Sequence, residues 1–192
     1  MDRYSRAAPR GPSDKENGSQ METMIPAWVD GTLRPVEKLA VHRRGLRHKA
    51  VSVFVMRGSQ TLIQRRALTK YHTPGLWANA CCTHPFWDEA AEDCAPRRLQ
   101  QELGIECLPI RHRGQVHYRA DVGGGLTEDE VVEIFTAEAS EDTVCVPNPA
   151  EVAEVAWIDL DALVTDTTRR PERYTPWLRI YLRDHINDIF AA

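Results

Sequence analysis

No apolar run in this 192-residue chain approaches the ~20 residues that a membrane-crossing helix needs, so no spanning segment is expected. The first residues carry no apolar stretch of the kind found in a secretory leader, and export is not expected either. Neither sign of charge dominates, because 24 Lys and Arg face 28 Asp and Glu for a formal net charge of −4. That balance gives no whole-protein attraction to nucleic acid or to a membrane surface, so an anionic ligand must be gripped by a local cluster of cations. The cysteines (81, 82, 94, 107 and 145) are odd in number and lack a Cys-x-x-C spacing. This argues against a disulfide framework and for reduced thiols in a cytoplasm. No internal repeat is visible. What remains, at 42% hydrophobic and 27% charged, is enough for one domain with a full core.

Residues 1–20 hold Pro, Gly, Ser and charges with almost nothing apolar, and are expected to be a disordered tail ahead of a domain over 21–192. A short strand over 27–29 meets Asp30-Gly31, a tight-turn pair. The Val-rich stretch 50–56 predicts a buried strand, with 61–65 as its hairpin partner across Arg57-Gly58-Ser59-Gln60. Residues 89–103 have helix composition and end at Gly104, but Pro96 predicts that the main helix starts there after an irregular turn. Strands are expected over 115–121, 128–137 and 152–158. Asp159 should cap a short helix to Val164, and Thr175-Pro176 should open a last one with Trp177, Ile180, Tyr181 and Ile189 inward. Mixed strands with a few helices indicate one α+β domain, its helices packed on a central sheet.

The densest chemistry lies in residues 76–85, Leu-Trp-Ala-Asn-Ala-Cys-Cys-Thr-His-Pro. Strand geometry points Cys82 and His84 one way and Cys81 the other. A thiol beside an imidazole suits a nucleophile, an acid–base pair or a metal. Glu128 and Glu130 likewise share one face, with Asp129 opposite. Two carboxylates held together need a cation or a shared proton. With His42, His48 and His84 they make a donor set for a divalent ion such as Mn²⁺, Mg²⁺ or Zn²⁺. A solvated acidic turn and incidental packing are the plainer alternatives for these two groups. His72, His112, His117 and His185 are expected at the surface or in structural roles.

Glu89, Arg97, Glu102, Gly104 and Ile105 match the spacing of the Nudix box, G-x5-E-x7-R-E-U-x-E-E-x-G-U, where U is apolar. Thr83 stands at its first Gly, while Arg98 and Gln101 replace two of its glutamates. Around this box stand Glu37-Lys38, His42, His48, Arg65-Arg66-Ala67-Leu68 with Lys70, Pro74-Gly75-Leu76-Trp77, Asn79 and Cys82-Thr83-His84-Pro85. Tyr118-Arg119-Ala120, Glu128-Asp129-Glu130 and residues 174–177 complete the set. In order and spacing, residues 24–190 resemble the type I isopentenyl diphosphate isomerases, a branch of the Nudix fold.

The resemblance implies an α/β/α sandwich with a mixed central sheet. It also implies interconversion of isopentenyl and dimethylallyl diphosphate through a tertiary carbocation, feeding isoprenoid synthesis, carotenoids among its products. His42, His48, His84, Glu128 and Glu130 match the ligands of a tightly held metal. Cys82 and Glu130 match the catalytic acid–base pair, and Tyr118 a supporting hydroxyl. Glu102, with the backbone carbonyl of Cys82, matches the holder of a second Mg²⁺ on the substrate diphosphate. Lys38, Arg66, Lys70 and Arg98 match cations on that diphosphate, and Thr83 is placed to face it. Trp177 is the candidate indole face for the carbocation. A small-molecule partner is implied, with neither nucleic acid nor membrane, in a monomer or homodimer. Two other readings predict different features. A Nudix diphosphate hydrolase calls for several metal-binding glutamates on the box helix, where Arg98 and Gln101 stand. A metal-stabilised binding module has no use for Cys82 opposite Glu130.

Overall fold

The computed structural model describes residues 23–191. The tail expected over residues 1–20 lies outside them. Strands β1 (Met24–Val29) and β2 (Thr32–Glu37) pair antiparallel from Met24↔Glu37 to Val29↔Thr32. Asp30 and Gly31 make the turn with φ of 50° and 76°, the left-handed pair whose twist matches that of the strands.

A helix absent from the sequence-based expectation follows, α1 (Lys38–Arg44). Its N-terminus is capped by the Glu37 carboxylate, which accepts from the amides of Leu39 and Ala40 at 2.8 Å each. Glutamate is not among the usual capping residues, so pattern alone does not reveal this helix. Gly45, with φ 56°, closes it, and a Cβ there would stand 3.3 Å from Arg119 Nη2.

Strand β3 (Arg47–Arg57) is the centre of the sheet. It runs antiparallel to β1 at Ala27↔His48 and to β6 (Cys81–Thr83) at Ser52↔Cys82. It is parallel to β8 (Leu126–Glu138), from Arg47↔Asp129 to Met56↔Glu138. Its expected hairpin with β4 (Gln60–Arg66) is confined to Met56↔Thr61 and Arg57↔Gln60, beside the turn. Beyond that β4 leaves, pairing instead with β5 (Trp77–Asn79) and β9 (Val152–Asp159). Strand β7 (Ile110–Gly123) completes the sheet against β8. Parallel and antiparallel neighbours on one strand make the sheet mixed.

Because β3 is buried on both faces, its residues alternate between two cores. Val51, Val53 and Val55 face Cys94, Ala95, Leu99 and Leu103 of α2 (Ala91–Leu103). Ala50, Phe54 and Met56 face Leu163 of α3 (Leu160–Arg169), Trp177, Leu178, Tyr181 and Leu182 of α4 (Pro176–Asp184), and Ile189 of α5 (Ile186–Phe190). The result is the expected α/β/α layering. Asp159 caps α3 as expected, accepting from the amides of Asp161 and Ala162. The last helix is interrupted at His185.

Pro96 does not start the box helix but lies inside it. The buried positions Cys94, Ala95, Leu99 and Leu103 extend on both sides of the proline, so one continuous helix buries them all. Pro96 and Glu92, whose carbonyl loses its usual partner, are both exposed, so the unmatched carbonyl is open to solvent rather than buried. Among the described residues no helix is long and apolar enough to cross a membrane.

Candidate active site

Four elements converge at one end of β3. His42 comes from α1, His48 from the start of β3, His84 from just past β6, and Glu128 and Glu130 from β8. Register explains the meeting: Glu130 is the partner of His48 on one side and of Tyr118, on β7, on the other. Alternation along β8 buries Glu128 and Glu130 to 2% and 1% exposure and leaves Asp129 outside with Arg47 and His117.

His84 Nε2 lies 2.9 Å from Glu130 Oε1 and 3.1 Å from His48 Nε2, which is itself 3.4 Å from that carboxylate oxygen. His42 and His48 each donate through Nδ1 to a backbone carbonyl, Lys38 O and Leu46 O, both at 2.7 Å. Their Nε2 atoms are thereby turned inward. His42 Nε2 is buried with no hydrogen-bond partner among the described residues. Burial first, and then the nearby cations, hold His42 down to about 4 and His84 well below the usual imidazole range, so both rings are neutral. One donor atom from each of His42, His48, His84 and Glu130 falls within 4.8 Å of the others. Neutral imidazoles facing a carboxylate, one with an orphaned buried lone pair, are the donor set a divalent cation takes.

Tyr118 Oη lies 2.8 Å from Glu128 Oε2 and 2.7 Å from Glu130 Oε2. A phenol has one proton and cannot donate to both carboxylates. Burial, reinforced by the charge of Glu130, pushes the Glu128 carboxyl well above its ordinary value. Burial would also raise Glu130, but the His48 and His84 rings against its carboxylate hold it well below. The consistent metal-free arrangement has protonated Glu128 donating to Tyr118, and Tyr118 donating to Glu130.

Beside this centre is a cationic one. Lys38, Arg66, Lys70 and Arg98 line a single small cavity with Tyr71, His72, Cys82, Thr83, His84, Glu102, Glu128, Glu130 and Trp177. Burial, and then the charges of Lys70, Arg98 and Arg66, bring the Lys38 ammonium down to about 8. Such crowding of like charge is relieved by a bound anion. Glu102 is buried between Gln64 Nε2, at 2.8 Å, and the Arg98 guanidinium, while Lys70 pairs with Glu151. The cavity holds about 20 Å³, room for one water. Larger hollows near Arg113 and Phe190, about 330 Å³, and near Trp28 and Glu133, about 560 Å³, contain none of these residues.

Cys82 lines the cavity, whereas Cys81 is wholly buried in the core under α2. Burial, then the charges of Glu130 and Glu128, push the Cys82 thiol up, so it holds its proton at neutral pH. Trp177 is 1% exposed, and the Arg66 guanidinium sits 5.3 Å from its ring centre. Glu128 falls outside the four-residue donor cluster and groups with His42 and His72 instead. Of the candidate site residues, His42, His48 and Tyr118 adjoin the cavity through His84, Glu128 and Glu130, and the others line it. His72, set aside in the sequence reading, also belongs to it. It is 7% exposed, stacks on His42 with ring centres 5.6 Å apart, and places Nε2 3.8 Å from Glu128 Oε1. Its loop is pinned inward by Gly75 N donating to Arg66 O and Arg66 N to Leu76 O, contacts with no sequence period. His112, His117 and His185 pair with acidic residues away from the centre. Ser52 was also missed, and its signal was present: it is the one polar residue in Ala-Val-Ser-Val-Phe-Val-Met.

Residues 46–178 match the NUDIX domain family. The chain is 66% identical over 172 residues to an isopentenyl-diphosphate Delta-isomerase of Dinoroseobacter shibae, covering 90% of this chain and 98% of that one. It is 61% identical over 169 residues to the protein of the same name in Rhodobacter capsulatus, covering 88% and 96%. Among solved structures, a Deinococcus radiodurans protein superposes with a TM-score of 0.67 at 14% identity, covering 83% of this chain and 97% of that one. A MutT NUDIX hydrolase from Burkholderia pseudomallei gives 0.56 at 22% identity, covering 71% and 95%. These two likenesses are of fold alone.

Proposed function

The chain belongs to the NUDIX family and, within it, to the isopentenyl-diphosphate Delta-isomerases, and from that premise we propose how its residues move a double bond. The reaction converts isopentenyl diphosphate to dimethylallyl diphosphate. A proton adds to the terminal methylene carbon, a tertiary carbocation forms at the branched carbon, and a proton leaves the carbon on its other side. The observation that carries the reading is that a protonated thiol, a buried carboxyl pair and a cation cluster all face one small cavity.

His42, His48, His84, Glu128 and Glu130 would hold the tight metal, Mg²⁺, Mn²⁺ or Zn²⁺. Glu102 and the Cys82 carbonyl would hold a second Mg²⁺ with the diphosphate. When bound, the tight ion makes a coordinated carboxyl a stronger acid than a free one. Lys38, Arg66, Lys70 and Arg98 grip the diphosphate, with Thr83 beside it, and so set the hydrocarbon between Cys82 and Glu130. Glu130 and Cys82 each handle one of the two protons, and Tyr118 holds Glu130 in place. An unactivated alkene is a weak base, so the acid must be close and shielded from water, as the closed cavity provides. Admitting the substrate requires its lining to open, because about 20 Å³ does not hold a diphosphate. With Arg66 drawn to the diphosphate, the Trp177 face is left for the carbocation, an attraction of about 2 kcal/mol when desolvated. We place this domain at residues 21–192, acting in the cytoplasm as a monomer or homodimer.

The test is incubation with isopentenyl diphosphate and Mg²⁺. Dimethylallyl diphosphate without free phosphate is the expected outcome. Release of phosphate in its place would return the chain to the diphosphate hydrolases.

A further inference from the structure

Ser52 is wholly buried in the middle of β3, directly opposite Cys82 in register. Burying a hydroxyl among valines and aromatics is unfavourable unless its hydrogen bonds are made. Ser52 Oγ lies 3.2 Å from Cys82 Sγ and 3.2 Å from Tyr181 Oη. Asn79 Nδ2 is also near, at 3.4 Å, but its hydrogens go to the carbonyls of Val53 and Cys81 at 3.0 and 2.8 Å. Tyr181 Oη has no other partner among the described residues.

Each of the two hydroxyls has a single proton, which settles the direction of the bonds. If Ser52 donated to Tyr181, the phenol proton would be buried without an acceptor and the sulfur would lose its donor. The arrangement that satisfies both hydroxyls and the sulfur runs from Tyr181 O–H to Ser52 Oγ, and from Ser52 O–H to Cys82 Sγ. Tyr181 is itself held edge-on between Phe54 and Tyr118, with ring centres 6.0 and 5.8 Å away.

We propose that Tyr181 and Ser52 form a hydrogen-bonded chain that positions Cys82, occupying the sulfur from the protein side so that its own S–H is directed into the cavity. The Ser52–Cys82 contact holds one proton, so while Ser52 donates to the sulfur it does not accept the thiol proton there. The S–H is left to point at the substrate. At whichever step the thiol has lost its proton, the same Ser52 O–H remains on the sulfur and strengthens as the sulfur becomes anionic. Both residues are positioning residues. The inference rests on the reading that Cys82 handles one of the two protons.

The experiment compares Ser52→Ala, Ser52→Thr, Tyr181→Phe and Cys82→Ala in the full-length protein. Turnover and KM are measured, along with the infrared S–H stretch of Cys82, identified by subtracting the Cys82→Ala spectrum. Ser52→Ala should lower kcat by about ten- to a hundredfold with KM within about twofold, and its S–H band should move. Ser52→Thr keeps the hydroxyl and should restore most of the turnover. Tyr181→Phe keeps the packing and should lower kcat by about three- to tenfold with a smaller band shift, and it decides the matter if Ser52→Ala does not fold. A dead Cys82→Ala beside a Ser52→Ala with wild-type kcat and an unmoved band overturns the positioning chain alone. A fully active Cys82→Ala overturns the role of the thiol, and the chain's part in catalysis falls with it.

Discussion

His42 offers a measurable link between the metal centre and the stability of the fold. Its ring is wholly buried, with Nδ1 donating to Lys38 O and Nε2 orphaned. Burial lowers it from an ordinary 6.5 to about 4. The unfolded chain therefore binds a proton at His42 between those values and the folded chain does not. Stability from this group is fully present above about pH 6.5 and is lost as pH falls toward 4. The difference corresponds to about 3 kcal/mol, a large share of the ~5–15 kcal/mol that holds a domain together. Urea melts of the chelator-stripped protein from about pH 7 to pH 4 should show wild type falling more steeply than His42→Gln, by about 3 kcal/mol over the range. Taking the difference between the two proteins cancels the titration of groups they share. Metal added at about a thousandfold its Kd should stabilise wild type by ~4 kcal/mol near neutral pH, and this increment should vanish over the same acid range as protons compete for Nε2. Parallel pH slopes for wild type and His42→Gln would refute the buried neutral imidazole, and with it the lone pair held ready for a cation.

The adjacent cysteines should separate cleanly. Cys82→Ala should lose several orders of magnitude in turnover, whereas Cys81→Ala, altering a side chain buried under α2, should change it less than about tenfold. Equal losses would mean the strand register does not decide which sulfur acts. At the other pole, Arg66→Ala and Lys70→Ala should each weaken substrate binding by roughly 1.5–3 kcal/mol, read as KM. Glu102→Gln should raise the Mg²⁺ requirement of turnover while metal analysis still finds the tight ion, since Glu102 is bonded to Gln64 and Arg98 rather than to the imidazoles.

Much of this protein was decided locally. Period two along residues 126–130 put Glu128 and Glu130 inside and Asp129 outside, and the same rule split Cys82 from Cys81. Asp30-Gly31 specified its turn because few residue pairs accept two left-handed conformations in succession. These are properties of neighbouring residues, and they need no knowledge of what lies across the sheet. Other features needed the whole chain. Whether β4 stays with β3, its neighbour in sequence, or leaves for β9 depends on which pairing buries more, and β9 is remote in sequence. Pro96 starts a helix by local preference, but a buried stripe on both sides of it holds the helix together against the missing bond. His72 enters the site because backbone bonds at both ends of its loop pull that loop inward, and Ser52 finds Tyr181 across 129 residues of chain. Local patterning determined which side chains face inward, while tertiary packing decided which of those inward groups share a cavity, because hydrogen-bond partners and burial are properties of the assembled layers.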